Sequence, residues 1–126
     1  IDVSSDARAF QARIRAEMHR LVRAICLRDF EEGVHSLRVS EEPWTADRLE
    51  TAAEPYLSEV PEPTFDHRAR LASMTQISKL EDHLWRVRQT LPDPEEEGLW
   101  FAEGTVDLRQ DTNPEGPLLE LDRLTT

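Results

Sequence analysis

Little in this sequence could act as a covalent staple, a metal cage or a nucleotide cradle. It has one cysteine, Cys26, so no internal disulfide can form and nothing points to an oxidising compartment; the expected location is cytoplasmic. Its four glycines, Gly33, Gly98, Gly104 and Gly116, are scattered, and none precedes a lysine. That excludes the glycine-rich loop whose backbone amides hold phosphate. The four histidines, at 19, 35, 67 and 83, are isolated and no Cys-x-x-Cys occurs, so neither a metal nor a cofactor is expected. No serine sits in a G-x-S-x-G turn. No apolar run approaches the roughly 18 residues of a membrane span, and the first six residues lack the basic start and apolar stretch of a secretory signal. No membrane partner is expected. The chain begins at Ile1 rather than at a methionine, from which we expect a piece of a longer polypeptide.

What is present is acidic. The 126 residues carry a net charge of −11 and suit one domain over 1–126, long enough to bury about two-thirds of the unfolded surface. Such a charge argues against the whole domain wrapping a phosphate backbone. The charge is uneven, however. Residues 1–28 hold six arginines against three acids, a net of +3; residues 29–66 net −9, and residues 67–126 net −5. Only the first helix could therefore meet a polyanion, unless its arginines pair with the acidic remainder or face water.

Phe10, Ile14, Met18, Leu21 and Ile25 recur at spacings of four and three, which predicts an amphipathic helix over 6–27, with Ser4 or Ser5 as its cap and Asp6 in its first turn. Arg13, Arg20 and Arg23 fall on the far side as a candidate docking surface, while Arg8, Arg15 and His19 flank the apolar stripe. Asp29-Phe30-Glu31-Glu32 resembles a capping box and predicts a second, short helix. Thr45 can cap a third, with Leu49, Ala52, Ala53, Tyr56 and Leu57 inward and Pro55 set to kink it or end its regular part. Pro61 and Pro63 then divide a helical half (1–60) from an extended half (65–126). Strands are predicted over 67–79, 84–91, 99–109 and 117–124, joined by polar turns. The expected class is α+β: two or three N-terminal helices on a curved four-stranded antiparallel sheet. Two architectures fit, a cone-shaped roll of the nuclear-transport-factor type and a simpler two-layer sandwich.

A roll of that type can enclose a pocket, in which a desolvated acid or histidine acts as a base. Tyr56, Asp66, His67 and Asp107 are the candidates for such a lining. Cys26 ends the first helix, where the dipole disfavours a thiolate, and reads as a core residue. Trp85, alternating with Val87, Gln89 and Leu91, reads as the buried face of a strand. Arg86 and Arg88 point the other way. They are either a second candidate docking surface or partners of Glu103 or Asp107 across the sheet.

The run Trp85-Arg86-Val87-Arg88-Gln89-Thr90-Leu91-Pro92-Asp93-Pro94-Glu95, followed by Leu99-Trp100 and by Val106-Asp107-Leu108, resembles a domain of unknown function found at the C-terminal end of bacterial DEAD/DEAH-box helicases. Arg28-Asp29-Phe30 resembles that family's junction between its first helices, and Trp44 with Pro55-Tyr56 resembles its third helix. The likeness covers about residues 10–124. It implies a non-catalytic accessory domain whose partners are helicase motor domains in the same polypeptide; from the charge split, the arginine-bearing first helix is the expected docking surface for the motor or for nucleic acid. It implies no catalytic residues. Two other functions fit the residues: a stand-alone protein-interaction module, and a small-molecule-binding or acid/base enzyme with a cone-shaped pocket.

Overall fold

Helix α1 runs Ala7–Cys26, and its cap is Asp6 itself, whose carboxylate accepts the Ala9 N–H at 3.2 Å. The serines before it are not the cap: Ser4 turns back to Asp2 instead. The computed structural model describes residues 1–126. All five residues of the predicted apolar stripe are buried, none more than 4 % exposed. Helix α2, Phe30–His35, starts at Asp29, which accepts the Glu32 N–H. Helix α3, Ala46–Glu59, starts at Thr45 in the same way and buries Leu49, Ala53, Tyr56 and Leu57. Pro55 does not end it; its ring lies on the exposed side and the helix continues to Glu59. A side-chain bond fixes where α3 begins: the Trp44 indole N–H donates to the Leu121 carbonyl at 2.8 Å.

The second half is a meander of four antiparallel strands, β1 Thr75–Glu81, β2 Leu84–Thr90, β3 Phe101–Asp107 and β4 Glu120–Thr125, in the order β1-β2-β3-β4. The first strand begins eight residues later than predicted, for a local reason. Asp66 accepts the Arg68 N–H, and the amides of Ala69, Arg70 and Leu71 bond to carbonyls three residues back. Those donors are consumed in turns, and a short 3-10 turn at Ala72–Met74 follows. Likewise the amides of Leu118 and Leu119 go to the Glu17 carboxylate on α1, so β4 starts at Glu120 rather than at 117. Leu99 and Trp100 precede β3 rather than belonging to it.

Register settles which side chains face the helices. Trp85 pairs with Val106, Val87 with Gly104 and Gln89 with Ala102, and all six are buried. The intervening pairs, Arg86 with Thr105 and Arg88 with Glu103, lie on the opposite face. One hydrophobic cluster of 22 buried residues joins α1, α3 and the inner face of the sheet. At Gly104 the strands come unusually close: a Cβ there would lie 2.5 Å from the Glu120 carbonyl oxygen. This is where β4 bulges, with Glu103 facing Arg123 but Gly104 facing Leu121. The sheet is open, with β1 and β4 as its edges, so the two-layer form describes it. Cover fades along β1, where Thr75 is buried, Ile77 half-buried and Lys79 exposed.

Candidate functional site

The four residues predicted to line a pocket are placed in different surroundings. Tyr56 is wholly buried and its hydroxyl donates to the Pro92 carbonyl, locking the turn after β2 onto α3. Burial raises its pKa, and burial also pushes the neighbouring Cys26 thiol up to about 11, against the pull of the Tyr56 hydroxyl. Asp66 is held below the usual carboxylate range by its hydrogen bond from Arg68. It lines a cleft of about 350 Å³ with Arg68, Met74, Thr90 and Asp93, at the Thr90 end of the sheet. His67 is exposed. Asp107 pairs with Leu84 at the other end of β2 and β3, and hydrogen bonds from Arg109 lower its pKa. The fold does not bring these four side chains together. A second cleft, beside the 93–97 loop, is lined by Glu59, Glu62, Asp93, Glu95 and Glu97 with Trp100. No three His, Cys, Asp or Glu side chains converge as metal ligands.

The tryptophans have structural work. Trp85 stacks on Phe10 with ring centres 4.5 Å apart, the Trp100 N–H donates to Glu59, and Trp44 reaches Leu121.

The arginines sort into two groups. On the outer face of the sheet, Arg88 donates to Glu103 at 2.9 Å and Arg123 pairs with the same carboxylate at 3.1 Å. Both guanidinium groups lie over the Phe101 ring, at 4.0 and 5.9 Å. The Arg88 hydrogen bond is the main cause of the lowered Glu103 pKa. Arg86, beside them, is exposed and makes no ion pair; its cross-strand neighbour Thr105 bonds to Asp122 instead. On α1, Arg13 is held by Glu17 and by the Gly116 carbonyl, and Arg20 by Glu32 at 2.6 Å. Of the three α1 arginines predicted to dock a partner, only Arg23 stays unpaired.

The flank of α1 that carries Arg15 and His19 holds a cluster that sequence reasoning did not single out. His19 lies 5.8 Å from the Phe65 ring, and the Arg70 guanidinium lies 5.8 Å from the same ring. Arg15 is one turn before His19. Arg15 Nε and His19 Nε2 are both buried without a hydrogen-bond partner. Burial lowers the His19 pKa, and Arg70 and Arg15 lower it further. One signal was present in the letters: Arg13 has Glu17 four residues on, whereas Arg8 and Arg15 have no acid at i±3 or i±4. Arg70 had no such signal, because the turns of 66–74 bring it in.

No helix is long and apolar enough to cross a membrane. The family described as a domain of unknown function (DUF3516) matches residues 1–123. No curated protein and no solved structure matches the chain.

Proposed function

Because the chain belongs to the DUF3516 family, we propose that it is a non-catalytic accessory domain at the C-terminal end of a DEAD/DEAH-box helicase polypeptide, acting by docking to the motor domains. The resemblance of Trp85–Glu95 to such helicase tails supports this reading. The geometric observation that carries the docking is the outer face of the sheet. The helices pack on the other side, and this face presents Arg88 and Arg123 over Phe101 with Arg86 further along β2. Arg86 has no carboxylate partner within the chain and is free to take one from outside.

The test uses the whole polypeptide. Unwinding and nucleic-acid-stimulated ATPase rates are compared with the domain present, deleted, and carrying Arg86→Glu. Arg86 is the informative position because its replacement breaks no internal ion pair. Deletion is expected to change either rate severalfold, with Arg86→Glu reproducing much of the change. Identical rates in all three would overturn the proposal, as would a gene with no ATPase motifs in frame with this domain.

A further inference from the structure

In a chain with 26 acids and 15 basic side chains, an arginine can readily find a carboxylate. Arg13, Arg20, Arg68, Arg88, Arg109 and Arg123 all do. Arg15, His19 and Arg70 do not, and they stand close to one another. His19 and Arg70 flank Phe65, Arg15 stands one turn before His19, and none of the three makes an ion pair. Arg15 and Arg70 both act on His19 and disfavour its charged form, an arrangement that costs stability unless something of opposite sign fills it. Two buried nitrogens in the cluster, Arg15 Nε and His19 Nε2, face no partner at all.

We infer that the seam between α1 and the Phe65–Arg70 segment, built by Arg15, His19 and Arg70, holds the phosphates of a single nucleic-acid strand. A compact anion would account for the cluster alone. A strand also accounts for what lies on either side of it. Arg8 and Arg23 make no ion pair and are exposed, and both share the Arg15 flank of α1. At 100° per residue, positions 8, 15, 19 and 23 fall within about a quarter of the helix circumference. At 1.5 Å per residue, Arg8, Arg15 and Arg23 span roughly 22 Å of helix axis. Three guanidinium groups in a row without an ion pair match a ligand that repeats its charge along its length. The surplus of acids elsewhere makes the binding weak and strongly salt-dependent, and leaves it confined to this flank. The inference goes beyond motor docking and uses none of the sheet-face residues.

The experiment is fluorescence anisotropy of a labelled, unstructured oligouridine titrated with the 126-residue chain across a salt series. If about three phosphates are neutralised, the affinity falls with salt at a log–log slope of about −2. The double variant Arg15→Ala/Arg70→Ala is expected to bind at least about tenfold more weakly, with a slope shallower by about 1.4. Arg86→Ala, on the outer sheet face, should stay within about twofold of the parent. In the unaltered chain, the Arg15 Nε and His19 ring resonances should shift on adding RNA, which keeps the test independent of how the variants fold. Absence of binding at low salt, unshifted resonances, or an unchanged double variant would overturn the inference. So would a polyglutamate peptide that binds as tightly as the RNA, since the ligand would then be an acidic protein segment.

Discussion

Glu17 reaches from α1 to the chain entering β4, and its Oε1 accepts the N–H groups of Leu118 and Leu119 at 2.8 and 2.9 Å. Both leucines are fully buried, so if the carboxylate is removed neither amide has a protein partner. An orphaned buried donor costs about 1–3 kcal/mol, and bonds to a charged acceptor sit in the upper part of that range. The ion pair with Arg13 adds little, because that guanidinium is 40 % exposed. Glu17→Ala is therefore expected to lower stability by about 3 kcal/mol, once partial access of water to the freed amides is allowed for. For a chain of this length that corresponds to a fall in Tm of about 10 °C. Glu17→Gln keeps an acceptor oxygen and loses the charge, so about 1 kcal/mol is expected. Glu50→Ala, an exposed glutamate on α3 with no partner, serves as the control and should stay within about 0.5 kcal/mol. Urea unfolding followed by tryptophan fluorescence reads all three, Trp85 being in the core. A Glu17→Ala midpoint indistinguishable from the Glu50→Ala midpoint, at an unchanged slope, would refute the reasoning.

Two further outcomes follow from the same structure. Gly104→Ala sets a methyl 2.5 Å from a backbone carbonyl and 2.8 Å from Leu119, with no flexible side chain able to clear both. It should cost at least about 2 kcal/mol, while Gly98→Ala, left-handed at φ +67 but in open space, should cost about 1 kcal/mol; equal losses by thermal melting would be the wrong result. The hydrogen bond between His83 and Asp2 raises the His83 pKa and lowers that of Asp2 to about 2. A raised histidine stabilises below its ordinary value of 6.5 and lets go as pH rises through the folded value. A lowered aspartate stabilises above its ordinary 3.8 and is lost as pH falls towards about 2. The N-terminal residues should thus be held best between those two ordinary values, as read by NMR from the Val3 amide, which bonds Thr112. An Asp2→Asn variant that leaves the His83 titration unmoved would sink this account.

What the letters disclosed was the physics that acts within a few residues. The α1 stripe, the Asp29 and Thr45 caps and the buried alternation of β2 each depend on spacings of two to four, and each is found where predicted. The Arg13–Glu17 pair, four residues apart, belongs to the same local physics. Residues 66–74 failed for a different reason. They contain no glycine or proline, so they read as extended, yet Asp66 and its neighbours turn the backbone upon itself. What fixes that turn comes from about twenty residues away. Gln89, on the inner face of β2, donates its side-chain N–H to the Ala69 carbonyl at 3.1 Å, and its carbonyl oxygen is met by the Thr75 hydroxyl. A fully buried amide is tolerated there because its partners are supplied by the segment it holds. Gln89 belongs to the Trp-x-Val-x-Gln run on which the family resemblance rests. Sequence alone shows it as one more inward position of a strand. In the fold it ties down the segment that carries Phe65 and Arg70 to the flank of α1 where Arg15 and His19 stand. One of the residues that make the domain recognisable, Gln89, thus also positions the cationic cluster, although it is not part of it.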